Sequence, residues 1–200
     1  MGGHMVREAA LILLCYIIGS IPFSYIFAYW LKGVDVRQRG SGNVGATNVL
    51  RTAGPLVGVL ALVGDLLKGA AGAWIAVESG NTYLLVLCPL AVVVGHCFSV
   101  FLRFRGGKAV ASSGGIVLFL FPRVGLILLA IFIVLALGSR YVSLASVMVA
   151  LVLPFLVWLS GYDAPFILLS AIMAALVIYR HRENLQRLRQ GSEPRLGSRA

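Results

Sequence analysis

Seven apolar runs divide this chain into hydrophobic stretches and short polar islands, and that alternation restricts the fold more than any other feature. They lie at Ala9–Leu31, Pro55–Val77, Tyr83–Leu102, Ala109–Phe121, Val124–Gly138, Ser143–Ser160 and Pro165–Tyr179. The first is 23 residues long, about 34 Å as a helix against about 30 Å of bilayer hydrocarbon. In hydrocarbon each backbone N–H and C=O must bond within its own segment or close a barrel, so runs of this length read as helices. With 60% hydrophobic residues, 12% charged residues and a mean hydropathy of +0.94, the chain reads as an all-α polytopic membrane protein.

The fourth and fifth runs read as short or tilted spans on either side of Phe121-Pro122-Arg123, where a helix-ending proline is followed by a charge. Joining them would leave six spans, and the basic residues decide between the counts. With seven, every Lys and Arg except Arg7, Arg123 and Lys68 falls on one side of the membrane, 14 of the 17. The expected topology is therefore seven transmembrane helices, N-terminus outside and C-terminus cytoplasmic. The net charge of +10 is then a topology signal, and no nucleic-acid partner is expected. Residues 1–4 read as an expression-tag remnant, 5–190 as one membrane domain and 191–200 as a basic, mobile polar tail. Cys15, Cys88 and Cys97 sit within apolar runs with no CxxC spacing and read as small buried hydrophobes.

Four polar segments share the basic side: Ser41–Arg51 (SGNVGATNVLR), 103–113 (RFRGGKAVASS), 139–146 (SRYVSLAS) and 181–187 (HRENLQR). A loop that sets topology needs only Lys and Arg, so the accompanying Gly, Ser, Thr, Asn and His call for another reason. Phosphate binding supplies one: glycines let backbone N–H groups form a nest, hydroxyls and amides add neutral donors, and bases add charge-assisted bonds. Gly106, Gly107 and Lys108, just before an apolar run, also put a helix N-terminus beside the expected anion. Asp65 and Lys68 share a face of the second span, either as an intramembrane ion pair or with Lys68 adding to the field of the anion site. His96 is a candidate base or a packing histidine. His181, beside two arginines, is the stronger candidate site residue.

Several chemistries lack their residues. No GxxxxGK[ST] or GxSxG motif occurs, and the only cytoplasmic carboxylates are Asp35, Glu183 and Glu193, with no spacing for a pair of metals. Five residues past His96 and His181, where a His-x4-Asp motif would place its Asp, stand Phe101 and Gln186, so that dyad is missing.

Gly19-Ser20-Ile21-Pro22-Phe23, SGNVGATNVLR, GHCFSVFLRFRGGKAVAS at 95–112 and HRENLQRL at 181–188 together resemble the PlsY family of bacterial membrane acyltransferases, in order and over almost the whole chain. The resemblance implies a seven-helix enzyme of the cytoplasmic (inner) membrane. It would transfer an acyl group from acyl phosphate to the 1-hydroxyl of glycerol-3-phosphate, giving lysophosphatidate and inorganic phosphate, with no metal, no cofactor and no obligatory protein partner. By the same likeness Ser41, Asn43, Thr47 and Arg51 form a first motif, Gly106, Gly107 and Lys108 a second, and His181, Glu183 and Asn184 a third, with Ser143 and Ser146 in a less distinctive segment. Lys108, Arg51, His181 and Asn184 are the expected catalytic group, and His96 and Lys68 join the substrate-binding set. The donor phosphate is assigned to Gly106–Lys108 with Ser143 and Ser146, and glycerol-3-phosphate to Ser41, Asn43, Arg51, His181 and Asn184. The proton acceptor is left between His181, His96 and the donor's own phosphate. An organic-phosphate transporter or channel, and a scaffold binding anionic headgroups, are the alternatives.

Overall fold

Pro22 interrupts the first apolar run, and much of the architecture follows from how the break is repaired. In this computed structural model, which describes residues 2–197, the run forms α1 (Gly2–Ser20) and α2 (Phe23–Lys32). A break in hydrocarbon frees carbonyls that water cannot reach. Here Ser99 Oγ donates to the Ser20 carbonyl at 2.5 Å and Lys68 Nζ to the Ile21 carbonyl at 2.9 Å. The two donors come from different later segments, so closing the break pins α1 and α2 to the bundle.

The chain continues through α3 (Ala46–Ala53), α4 (Pro55–Glu78), α5 (Leu84–Cys97), a 3-10 turn at Val100–Leu102, α6 (Val110–Leu120), α7 (Pro122–Ser139), α8 (Val142–Leu159), α9 (Ala164–Arg180) and α10 (Arg182–Arg189). Among the described residues there is no strand. Each of the seven apolar runs contains helix. Five stretches are long and apolar enough to cross a membrane: 4–32, with α1 and α2 together, α4, 84–102, α7 and α8. Counting α9 together with α10, bent from it by 54°, brings the number to up to six by length and composition. The fifth run was expected to be short but gives an 18-residue helix, because Pro122 occupies its first turn, where a missing N–H costs nothing. Only α6, with 11 residues, is short, about 16 Å long.

Helices in lipid associate by close packing rather than by burying apolar surface from water, and α4 and α6 show how closely. A Cβ on Gly69 would come within 2.0 Å of the Ser112 carbonyl oxygen, and one on Gly115 within 1.9 Å of the Leu66 carbonyl oxygen. Glycine on each helix lets the backbones touch. At the far end of α6, Phe121 is fully buried, edge-on to Tyr162 and Phe166, so the α6–α7 turn is wedged into the bundle. Trp30, Leu56, Val134 and Trp158 project outward. Cys15, Cys88 and Cys97 are buried and unpaired.

Candidate active site

Near the start of α6 the bundle opens into a cavity of about 380 Å³. All four polar segments reach it: Ser41, Asn43, Thr47 and Arg51 from the first, Lys108 and Ser113 from the second, Ser143 and Ser146 from the third, and His181, Asn184 and Arg187 from the fourth. Its other part is apolar, lined by Leu66, Val117, Leu128, Leu153 and Met173. Leu62 on α4 and Leu129 on α7 also line it and are 41% and 46% exposed, so the apolar part reaches the outer surface of the bundle.

The first segment is shaped by Asn48, a residue the motif reading passed over. Its Oδ1 accepts from the Ser41 N–H at 3.0 Å, and its Nδ2 reaches the carbonyls of Val36, Arg39 and Asn43 at 2.9, 3.1 and 3.1 Å. This 2%-exposed side chain folds the loop around itself and so places Ser41 and Asn43 on the cavity wall. Arg51 Nη2 donates to the Pro194 carbonyl at 3.1 Å. Its Nε is buried with no hydrogen-bond partner among the described residues, and burial lowers its pKa.

The glycine turn works differently from a phosphate nest. Gly106 N–H donates to the Cys97 carbonyl at 3.1 Å and Gly107 N–H to the His96 carbonyl at 3.0 Å, so both amides cap the end of α5. Arg180 takes the carbonyls of the same two glycines at 2.9 and 3.1 Å. Neither glycine lines the cavity; both line a small recess behind it. Their contribution is to lock the loop so that Lys108 projects into the cavity and α6 starts there. Val110 and Ala111, in the first turn of α6, line it, and first-turn amides lack intrahelical acceptors.

Lys108 Nζ bonds Asn184 Oδ1. Asn184 Nδ2 in turn donates to Glu193 Oε1 at 2.6 Å, and Arg187 Nε to Glu193 Oε2 at 2.8 Å. Burial, with Arg187 adding repulsion, lowers the Lys108 pKa to about 8. For Glu193 burial opposes ionisation, but Asn184, Ser143 and Arg187 outweigh it and hold the carboxyl below its usual range. His181 Nδ1 lies 2.7 Å from the Val177 carbonyl. A carbonyl only accepts, so Nδ1 carries the proton and Nε2 is the acceptor. Burial depresses the His181 pKa to about 4, leaving the ring neutral at pH 7.

Besides the two glycines, two further expected residues fall outside the cavity. The Glu183 side chain is 70% exposed and pairs with Arg182, at 3.9 Å. Positions 181, 184 and 187 share a face at helical spacing, and 183 points away. The carboxylate that does enter comes from Glu193, in the segment expected to be a mobile tail. Residues 191–197 instead lie against the site, with Leu196 N–H donating to the Arg140 carbonyl at 2.6 Å. Glu183→Ala should leave kcat/KM within about twofold of wild type in a turnover assay, as befits a surface substitution away from the site. Lys68 is the second: it is 4% exposed, paired with Asp65 at 2.8 Å, and faces the recess rather than the cavity. His96 lines both spaces. Arg187 was discoverable from its spacing to His181 and Asn184; no local pattern marked Asn48 or Glu193. Among the described residues no group of three or more His, Cys, Asp or Glu could hold a metal ion.

Residues 9–191 match the family profile described as glycerol-3-phosphate acyltransferase. The chain belongs to the glycerol-3-phosphate acyltransferase family. A member of that name from Syntrophomonas wolfei is 52% identical over 195 residues, covering 98% of this chain and 100% of its own. One from Rubrobacter xylanophilus is 46% identical over 196 residues, 96% and 97% of the two chains. A crystal structure of PlsY (YgiH), an integral membrane glycerol 3-phosphate acyltransferase, in its glycerol 3-phosphate form, matches with a TM-score of 0.91 at 42% identity over 96% of both chains. Its lysophosphatidic acid form gives 0.89 at 41%, again over 96% of each. The family match ends at Gly191, just short of the segment that carries Glu193.

Proposed function

We propose that this protein transfers a fatty acyl group from acyl phosphate to the 1-hydroxyl of glycerol-3-phosphate, giving lysophosphatidate and inorganic phosphate at the cytoplasmic face of the bacterial inner membrane. The observation that carries the reading is the composition of a single cavity. One end presents Lys108, Arg51 and Arg187 among hydroxyls and amides, and the other is lined by leucines and reaches the outer surface of the bundle. Two phosphates and one acyl chain need that combination, and an apolar donor can reach it from the bilayer.

In the reaction the glycerol 1-oxygen attacks the acyl carbon, an ester C–O bond forms, and the acyl carbon–phosphate oxygen bond breaks with its electron pair leaving on phosphate. Lys108, Ser143 and the first-turn amides of α6 hold the leaving phosphate. Ser143 Oγ is buried in the cavity wall beside Glu193, whose carboxylate its hydroxyl helps to stabilise; Ser146 Oγ already donates to the Val142 carbonyl at 2.8 Å and serves as wall. Arg51, Ser41, Asn43 and Thr47 hold the acceptor phosphate, with His181 and Asn184 between the two sites. Lysine and arginine offset the repulsion of the two anions and hold the reactants in line.

The proton goes to phosphate rather than to His181. The leaving phosphate gains negative charge as the bond breaks, while burial keeps His181 neutral, so His181 Nε2 serves to orient the hydroxyl.

Seven crossings, with the N-terminus outside and the C-terminus cytoplasmic, fit this reading. The short α6 is the fourth, recessed at one end by the loop carrying Lys108 and at the other by buried Phe121. Residues 5–190 form one catalytic domain, to which the tail from Gly191 adds a strap. Purified protein in lipid mesophase, given acyl phosphate and glycerol-3-phosphate, should release phosphate only when both are present. Release from neither combination would favour an organic-phosphate transporter.

A further inference from the structure

Behind the glycine turn, α4 and α5 bring three polar groups together inside the bundle. Asp65, Lys68 and His96 are 2%, 4% and 7% exposed. Lys68 Nζ lies 2.8 Å from Asp65 Oδ1 and also donates to the Ile21 carbonyl. Ser24 Oγ donates to Asp65 Oδ2 at 3.4 Å. An intramembrane ion pair is complete with those groups, yet His96 Nδ1 also faces Asp65 Oδ1, at 3.6 Å, and has no other partner among the described residues.

A carboxylate only accepts, so the ring nitrogen facing it carries the proton and Nε2 keeps its lone pair. Nε2 lies beside Gly107, where a Cβ would stand 2.3 Å away, and the ring lines the main cavity together with Asp65. We propose that Asp65 is a positioning residue: it fixes His96 in the Nδ1–H form and so presents Nε2 as an acceptor for a hydroxyl of glycerol-3-phosphate. The role of the ligand rests on the function proposed above; the tautomer does not. Lys68 keeps the carboxylate charged and tied to the break at Ile21. At 3.6 Å the His96–Asp65 contact is looser than a hydrogen bond, and it tightens when the hydroxyl binds, as catalytic contacts seen without substrate commonly do.

The chain has three histidines, His4, His96 and His181, so ¹⁵N-histidine NMR with a His96→Phe reference resolves the His96 ring. The wild-type ring should show the Nδ1–H tautomer with or without an active assay, and Asp65→Asn should mix the two tautomers. Asp65→Asn leaves Lys68 unpaired and can impair folding, so the Asp65→Asn, Lys68→Met double variant is measured beside it. Both His96→Phe and the double variant should raise KM for glycerol-3-phosphate by at least ~10-fold, the worth of one hydrogen bond of about 1.4 kcal/mol, while KM for acyl phosphate stays within twofold. 3-Hydroxypropyl phosphate, which lacks the 2-hydroxyl, tells which hydroxyl is held. Loss of wild-type discrimination against it identifies the 2-hydroxyl, and an equal fall of kcat for both acceptors identifies the 1-hydroxyl. An Nε2–H tautomer in wild type overturns the proposal, as does a folded double variant with unchanged glycerol-3-phosphate kinetics, or one that loses both substrates equally. If wild type turns over neither substrate, the function fails and the tautomer still judges Asp65.

Discussion

Lys108→Ala should lower kcat/KM by at least ~10²-fold, the scale for removing one preorganised charged donor from a site shielded from water. Lys108 is the only side chain of the second segment that delivers a charge into the cavity, since Arg103 and Arg105 are exposed on the surface. Asn184 holds its Nζ from one side, so the ammonium is aimed before any substrate arrives. Its pKa makes a second test. At about 8 it is below that of an ordinary lysine, so the cation predominates at pH 7 and is lost as pH rises through that value. In the free enzyme kcat/KM should therefore fall about tenfold per pH unit above ~8. A bound phosphate favours the cation, so the decline in kcat should start at higher pH. Lys108→Arg should abolish the basic limb, because guanidinium stays charged throughout, while its fork fits Asn184 less well and activity remains below wild type. A basic limb unchanged in Lys108→Arg would assign the titration to another group.

Gly107→Ala should be comparably damaging without removing any functional atom. The added methyl would stand 2.3 Å from His96 Nε2 and 2.6 Å from the Val44 carbonyl oxygen. The first neighbour is a ring that lines the cavity and the second is backbone, so the loop itself must move. Both glycine amides cap α5 and both carbonyls are held by Arg180. A shift there carries Lys108 with it, and a displacement of about 1 Å at a reacting centre can cost ~10²-fold. Steady-state kinetics should show at least that loss in kcat/KM, while circular dichroism reports an unchanged helix content. Near-wild-type activity would mean that the turn is not what aims Lys108.

Much of this was readable in the chain. Hydropathy located all seven helical runs because a bilayer leaves the backbone few alternatives. The surplus of small polar residues on the basic side located the four segments that meet at the cavity. What the pattern could not supply was direction. Gly106 and Gly107 look like phosphate ligands until their amides are seen bonding the end of α5, a contact set by how α5 and the loop dock. Spacing pairs Lys68 with Asp65 but does not show that it also takes the Ile21 carbonyl at the helix break, 47 residues away along the chain. Glu183 and Glu193 differ by helical phase in one case and by a chain reversal in the other. Phase was legible at 181, 184 and 187. The reversal that brings Glu193 back to Asn184 and Arg187 depends on contacts of the last residues with Arg51 and Arg140, which no local spacing encodes.

The claim that two phosphates and an acyl chain share this cavity is tested most directly by the donor. Purified protein should be given glycerol-3-phosphate with acyl phosphate in one reaction and an acyl thioester of the same chain length in another, and the products identified by mass spectrometry. Acyl phosphate should give 1-acyl-glycerol-3-phosphate with one equivalent of phosphate, and the thioester at least ~10²-fold less product, since it brings no phosphate leaving group for Lys108 to hold. Equal or faster acylation from the thioester would contradict that claim.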